Sequence, residues 1–495
     1  MTALANSKLA SACLVAASIA SVCLAFSLSS GPAILGGRWG LFSRLAAWSV
    51  AWVVGVWAAR QMDRRVAVGA VLVIGVIVRL AALSGPPVTS DDLYRYAWDG
   101  RVQNAGIDPY RSVPESHAEV GLHERWLWPS SAVCDTLRRP AGCTRINRPD
   151  VRTIYPPVAE AWFAVVSRLG GGNGSRHKPW QLAGLATELA LLALLPLALR
   201  RWGHDERWVA LYALAPFPIL EVVNNGHVDG LAAAITVAAL VVAGSRRDRA
   251  FLAGVLIGAA ALVKLYPAIF VIALVGGAAV GRRPRPVVVA KAVAGAAAVS
   301  LAGYLPHVLV VGVRVIGYLP GYLREEHYTG GERFLLAGVL GLSGAAATAV
   351  AAAALAVVVV AVLVTRPAVP RGFAILLGGV LLVATPVQPW YAVTLLAVAT
   401  TAAEPAWAGV AMAGYPYFFA VILDTPHAVG IGRVAYGAAL ACVLVNWRWQ
   451  SSVRDAGDAD RAAAVEATVA GRAAPRGEHR PGRPFGIGEE VEPAG

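Results

Sequence analysis

The sequence predicts an all-α, polytopic helical membrane protein with about 11–13 transmembrane helices and an ordered first external loop. Three observations carry this. The 495 residues are 57% hydrophobic and only 15% charged, whereas soluble domains run near a quarter charged. Several apolar runs approach or exceed the ~18 residues that suggest a spanning helix. The short alternating segments of a membrane β-barrel are missing, and within lipid a chain without a closed barrel satisfies its backbone groups only as helices.

The formal charge of +13 reflects topology rather than a nucleic-acid partner. Only Lys8, Lys178, Lys264 and Lys291 are lysines, and the arginines cluster between apolar runs, as the positive-inside rule expects of cytoplasmic loops. Helices are expected near 9–28, 45–59 and 66–83. The first, with Lys8 as its basic flank, reads as a retained helix rather than a cleaved signal peptide. Arg60, Arg64 and Arg65 place residues 60–65 in the cytoplasm, so residues 84–156 form a long external loop. Its Trp, Tyr and Pro content argues for order and its length for function. Apolar runs follow near 157–169, 181–200, 208–222 and 230–244. Arg200-Arg201 and Arg246-Arg247 both read as cytoplasmic, so one of the runs 157–169 and 181–200 is expected to be a half-helix. Residues 250–281 read as two short helices broken at Lys264-Leu265-Tyr266-Pro267, with arginines at both outer ends (Arg246, Arg247, Arg249; Arg282, Arg283, Arg285). Further helices are expected near 287–305, 346–365, 372–386, 391–403, 406–422 and 430–447. The helical domain spans 1–449, with a second external loop at 306–334. The Ala/Gly/Pro/Arg/Glu-rich tail 450–495 is expected to be a disordered cytoplasmic segment.

Cys13, Cys23 and Cys442 fall in apolar helices and read as packing residues. Cys134 and Cys143 lie in the polar loop, eight residues between them, and a disulfide is expected if that loop is exported.

The chemistry concentrates in Ser90-Asp91-Asp92-Leu93-Tyr94-Arg95-Tyr96-Ala97-Trp98-Asp99-Gly100. Paired carboxylates at a membrane edge are costly to keep without a use. Sugar transfer needs a carboxylate to take the acceptor's proton, a cation for a phosphate leaving group, and aromatic faces for sugar rings. If this segment is helical, Asp92 and Tyr96 share a face. The bland alternative is an interfacial helix with anchoring aromatics. Gly106-Ile107-Asp108-Pro109-Tyr110 is a turn signal, and Tyr155-Pro156-Pro157 opens a helix. Glu221 through Asp229 carries more polar residues than a hairpin requires. His227 and Asp229 alone are a weak metal pair, so contact with sugar or phosphate is the better expectation there. Lys264 at a helix break is placed to reach an interfacial phosphate, against simple snorkelling. In the second loop, Arg324, Glu325, Glu326, His327, Tyr328 and Arg333 read equally well as a charged loop or a ligand contact. Gln388-Pro389-Trp390-Tyr391 reads as an interfacial anchor near a lipid groove. No P-loop, dinucleotide fingerprint, CxxC or HExxH is present, which argues against a soluble nucleotide-sugar enzyme and an ATP-driven pump.

Taken in order, Ser90–Tyr96, Trp98–Arg101, Gly106–Tyr110, Tyr155–Pro157, Asn225–Asp229 and Lys264–Pro267 resemble the polyprenol-phosphomannose-dependent α-mannosyltransferases that build bacterial lipomannan-type glycans. These are members of the GT-C superfamily, and the resemblance covers about residues 66–450. It implies a GT-C-like fold in the plasma membrane with its active site on the external face. It also implies a polyprenyl-phosphate sugar donor, most readily mannose, a glycan or glycolipid acceptor, and inversion from a β-linked donor to an α-linked product. Asp92 would be the catalytic base and Asp91 an auxiliary or solvated neighbour. Lys264 with Arg95 or Arg333 would hold the donor phosphate, and His227 and Asp229 would line the substrate site. Tyr94, Tyr96, Trp98, Asp99, Tyr155, Asn225 and Tyr266 complete the expected substrate contacts. No cofactor and no metal are implied. The Cys134–Cys143 segment, with Arg138 and Arg139, departs from the pattern. Other expectations left open are a polyprenyl-phosphate arabinose or glucose transferase, and a lipid-linked-sugar flippase or transporter, although a transporter would show repeats and midplane polar residues.

Overall fold

The computed structural model describes the chain apart from residues 1, 33–37, 138, 171–176, 246, 277–285 and 450–495. The expected disordered tail, Arg138 and the arginines at 246, 282, 283 and 285 lie outside the described residues. Among those described, every regular element is helical. Seven helices are long and apolar enough to cross a membrane, or eight if the bent pair Pro216–Asn224 and Asp229–Ala243 counts as one span. The 11–13 expected from the sequence is approached only by adding shorter apolar helices such as 250–261 and 369–384. The protein is a polytopic helical membrane protein whose spans are often short or broken.

Helices α1 (Thr2–Ser29), α2 (Arg38–Gln61) and α3 (Arg64–Ala81) pack as an antiparallel group. Helix α2 starts seven residues before the run that suggested it, and Arg44 donates to the Ser27 carbonyl at 2.9 Å. Asp63 caps α3 by accepting from the Arg65 and Val66 amides, which satisfies otherwise orphaned donors at the helix start. The chain then enters residues 84–156, where α4 (Asp92–Asn104) is held by aromatic packing of its Trp98 on His123 and Trp128, and the short α5 (Ser131–Thr136) follows. Helix α6 (Pro157–Leu169) packs on α4 so closely that a Cβ at Gly100 would lie 2.3 Å from the Phe163 carbonyl oxygen.

Helix α7 (Lys178–Arg201) resolves the parity question. Lys178 donates to the Leu83 carbonyl, so α7 starts at the end of the bundle where α3 finishes. Arg207 bonds the carbonyls of Arg60 and Met62 at 2.8 and 3.0 Å, so α7 finishes at the opposite end, beside the α2–α3 turn. Helix α6 therefore begins and ends at the loop end, and its 13 residues do not cross. It is the half-helix.

Helix α8 (Val209–Ala213), α9 (Pro216–Pro218) and a π turn over Ile219–Asn224 return toward the loop end. A 120° bend then leads into α10 (Asp229–Ala243). The bend needs Gly226, at φ +73°. Helices α11 (Ala250–Ala261) and α12 (Phe270–Gly276) flank the expected break. Helix α13 (Pro286–Val311) contacts α11 through Gly254, Gly258 and Gly295, a small-residue interface typical of close helix approach in membranes. It continues six residues past 305, carrying Pro306 within it, so the second loop begins later than expected. Helix α14 (Leu319–Glu325) lies in that loop, and α15 (Leu335–Val339) follows directly after it. Helices α16 (Gly344–Thr365), α17 (Val369–Ala384), α18 (Val393–Ala402), α19 (Ala408–Ile422) and α20 (Ala428–Trp449) complete the described residues.

Candidate functional site

Three local features of the chain build one cavity at the loop end. The first is the start of α4. Residues 86–89 are strapped to the 221–229 bend: Asn225 Oδ1 accepts from the Val88 and Thr89 amides at 3.0 and 3.1 Å, and Asn224 donates to the Pro86 carbonyl at 3.1 Å. That strap delivers Asp92 to the first turn of α4, where the helix presents free amides and partial positive charge. The second is the Tyr155-Pro156-Pro157 corner. The Val158 and Ala159 amides, orphaned at the start of α6, donate to the Leu262 carbonyl at 3.0 and 3.1 Å. This ties the corner to the helix break, so Lys264 Nζ lies 5.1 Å from the ring centres of both Tyr155 and Tyr391, within cation–π range. The third is the second loop. Arg148 of the first loop bonds Glu325 at 2.9 Å, and Gln388 bonds Glu326 at 2.7 Å.

The cavity measures about 560 Å³. Asp92 lines it with a side chain 16% exposed. One carboxylate oxygen accepts from Asn147 at 2.6 Å, and the other is 3.4 Å from the Tyr155 hydroxyl and 3.5 Å from His227 Nδ1. His227 is fully buried, stacks on Trp390 at 4.2 Å, and turns its Nε2 toward Glu221, 3.5 Å away. Glu221 in turn accepts from Tyr415 at 2.8 Å and Asn225 at 2.9 Å.

The cations around the cavity are not equivalent. Arg95 bonds both oxygens of Asp99 at 3.0 Å and the Val151 carbonyl at 3.1 Å. Arg333 is pinned by Glu326 and the Tyr417 hydroxyl, each at 2.8 Å. Lys264 lies 3.4 Å from Asp229, a buried carboxylate. Arg148 is held by Glu325, and that bond raises the guanidinium above its ordinary value. Arg152 differs: it lines the same cavity, and its buried Nε has no hydrogen-bond partner among the described residues. A buried donor left unmade is costly unless something fills the role.

Burial pushes the Asp99 carboxyl up, against the pull of Arg95. Crowding by protein atoms likewise raises Asp91, although its side chain keeps 43% of its surface open, with Arg139 opposing the shift from 3.0 Å. Cys134 and Cys143 are joined as a disulfide with Cα atoms 5.8 Å apart. No cluster of three or more metal-ligating side chains occurs among the described residues.

Of the residues singled out from sequence, Asp91, Asp92, Arg95, Tyr155, Lys264, Tyr266 and Arg333 line the cavity. Tyr96, His227 and Asp229 stand behind the wall: the Tyr96 hydroxyl lies 3.4 Å from His227 and 3.5 Å from the Tyr155 hydroxyl. Asn225 fixes the strap. Tyr94 and Trp98 pack elsewhere, Tyr94 against Trp126 and Trp98 against Trp128, and Asp99 is spent on Arg95. Sequence reasoning missed Asn147, Arg148, Arg152, Tyr318 and Tyr322. They belong to no motif, and only their place near Tyr155 or in the second loop hinted at them.

The fold and the cavity together define a polytopic helical membrane protein whose cavity sets a carboxylate beside cations and apolar side chains. Residues 153–389 match the model of Glycosyltransferase family 87, and the match indicates a membrane glycosyltransferase. The matched stretch holds Tyr155, Lys264 and Arg333 but begins after Asp92, so the cavity joins residues from inside and outside it. No curated protein and no solved structure gives a significant match.

Proposed function

We infer that the protein is an inverting, GT-C-like glycosyltransferase that moves a sugar, mannose first among the candidates, from a polyprenyl-phosphate to a glycan or glycolipid acceptor. The observation that carries this is the pairing, in one cavity, of a carboxylate held by neutral donors at Asp92 with the Arg152 guanidinium, whose buried Nε has no hydrogen-bond partner among the described residues. Leu265, Leu319, Val387, Phe418, Val421 and Ile422 give the cavity an apolar flank suited to a polyprenyl chain. In the reaction, Asp92 takes the proton of the acceptor hydroxyl as that oxygen attacks the anomeric carbon. The bond from that carbon to the phosphate oxygen breaks on the opposite face, and polyprenyl phosphate departs with the bonding pair. Arg152, with Lys264 near the Tyr155 wall, stabilises the charge that gathers on the phosphate, where electrostatic help counts most. Tyr155 and Asn147 orient Asp92.

The arginines at the α2–α3 end, Arg60, Arg64, Arg65 and Arg207, support a cytoplasmic placement of that end by the positive-inside rule. The cavity then opens on the external face of the plasma membrane. A flippase is disfavoured because the polar groups that line the cavity lie at one end of the bundle, while the charged pair deep within it, Arg79 and Glu188, is fully bonded within the protein.

Membranes given radiolabelled polyprenyl-phosphate mannose, arabinose and glucose test the reading. Mannose transfer is expected, and Asp92→Asn should lower it about 10²–10⁴-fold, the usual yield of general-base catalysis. Undiminished turnover by Asp92→Asn would remove the base. Translocation without transfer in proteoliposomes would replace the enzyme with a flippase.

A further inference from the structure

Gln388-Pro389-Trp390-Tyr391, which reads from sequence as an interfacial anchor, also forms part of the cavity wall: Gln388, Trp390 and Tyr391 line it. The segment makes a 3₁₀ turn over Pro389–Ala392 and leads into α18. It is braced from behind. The Tyr436 hydroxyl donates to the Pro386 carbonyl at 2.7 Å, and α19 passes so close that a Cβ at Gly414 would lie 3.2 Å from the Pro389 Cα. Its two aromatic side chains then serve two parts of the site. Trp390 stacks on His227 at 4.2 Å, beside Asp92. The Tyr391 ring centre lies 5.1 Å from Lys264 Nζ, and the Tyr391 hydroxyl pairs with that of Tyr322 on α14 at 2.7 Å.

Lys264 is a point charge on a flexible stem, so its place is set by what surrounds the ammonium. Its side chain is 13% exposed, and three faces meet it: the rings of Tyr155 and Tyr391, each at 5.1 Å, and Asp229 at 3.4 Å. Neither side-chain oxygen of Asp229 has a hydrogen-bond partner among the described residues. The ammonium is thus held by ring faces and by charge, with its N–H donors unspent on Asp229. Arg95 and Arg333, by contrast, give theirs to carboxylates at 3.0 and 2.8 Å. The Tyr155 ring is shared with the base, its hydroxyl 3.4 Å from Asp92, whereas Tyr391 comes to Lys264 from a separate, braced segment. We propose that Tyr391 is a positioning residue for the donor phosphate: its ring face fixes the Lys264 ammonium at the cavity wall, ready to meet polyprenyl phosphate. The inference deepens, and rests on, the reading of the cavity as a polyprenyl-phosphate site. It adds to donor recognition a residue that acts through another rather than on the phosphate itself.

The test is equilibrium binding of undecaprenyl phosphate, and of neutral undecaprenol, to the purified full chain in nanodiscs. The wild type should bind the phosphate more tightly than the alcohol. Tyr391→Leu removes the ring and should weaken phosphate binding about 3- to 10-fold, as a partly desolvated cation–π contact implies, with undecaprenol binding within about 2-fold. Tyr391→Phe keeps the ring face and should hold phosphate binding within about 2-fold of the wild type. Added to Lys264→Met/Asp229→Asn, Tyr391→Leu should cost nothing more, because a residue that acts through another adds nothing once that partner is gone. Replacing Asp229 together with Lys264 avoids a stranded buried carboxylate, so this background should fold. An equal loss of phosphate and undecaprenol binding in Tyr391→Leu would reveal a direct contact with the lipid chain and overturn the proposal. A loss in Tyr391→Phe as large as in Tyr391→Leu would assign the effect to the Tyr322 bond and overturn it too, as would an undiminished effect of Tyr391→Leu without Lys264. Unchanged phosphate binding by Tyr391→Leu, beside a wild type that prefers the phosphate, overturns this proposal alone. A wild type that binds both lipids equally would remove the reading beneath it, and the proposal with it.

Discussion

Two buried charge clusters in this protein use the same residue types to different ends. Deep in the bundle, Arg79 and Glu188 are both fully inaccessible. Arg79 bonds Glu188 at 2.7 and 3.0 Å and the carbonyls of Gly75 and Ala213, while Glu188 also accepts from Tyr212 at 2.7 Å. Asp92, Lys264 and Arg152 instead face an open cavity, with Lys264 only loosely paired and Arg152 holding an unused donor. The saturated cluster has nothing left to offer a substrate, so its role is to join α3, α7 and α8. The unsaturated one keeps capacity in reserve. Satisfaction, more than residue type or depth, separates scaffold from site here.

Substitutions can break that contrast, and the largest expected effect is on chemistry. Asp92→Asn should abolish most transfer yet leave the melting temperature in detergent within a few degrees, because the amide can still bond Asn147 and Tyr155. Arg79→Leu should do the reverse. It strands the Glu188 charge and should cost about 3–5 kcal/mol of stability, read by thermal or denaturant unfolding. Arg79→Leu/Glu188→Leu should recover part of the loss. If the single variant melts like the wild type, the saturated cluster is not the brace described here. Arg152→Gln should fall between the two. A charged hydrogen bond to phosphate is worth about 1.5–3 kcal/mol, so the donor KM should rise about 10- to 100-fold with little change in melting. An unchanged donor KM would return the phosphate to Lys264 or Arg148.

The smallest effect lies at the opposite end of the bundle. The Arg207 hydrogen bonds, with Arg60 beside them, lower the Asp205 carboxyl to about 2. A carboxyl depressed in the folded state contributes stability above its unfolded value of 3.8 and loses it as pH falls toward about 2. Asp205→Asn should therefore flatten the pH dependence of melting over that window and leave transfer near neutral pH untouched. An unchanged slope would show that the Asp205–Arg207–Arg60 contact adds nothing to folding.

The sequence conveyed these regions unevenly. Ser90–Gly100, the break at Lys264 and the Tyr155-Pro156-Pro157 corner stood out because charge, proline or aromatic density interrupted an apolar pattern. Arg79 and Glu188 gave no such warning, each a single charge inside a long helix. Arg95 and Arg333 seemed as good as Lys264 for phosphate; the four-residue spacing of Arg95 and Asp99 on a helix hinted at their pairing, but nothing in the spacing of Arg333 showed that Glu326 already holds it. Asn147 and Arg152 sit in a loop without periodicity, where sequence has no ruler.

By itself the sequence determined the helical membrane class, the breaks at 226 and 264 and the density of chemistry after the third helix. These follow from local properties: apolar run length, turn residues, and the cost of charge near lipid. The tertiary structure decided which half-helix fails to cross, that Leu262 joins Tyr155 to Lys264, and which cations are already neutralised. Those outcomes depend on partners tens to hundreds of residues apart, and a charge is free or bound only once the fold has placed its partner beside it.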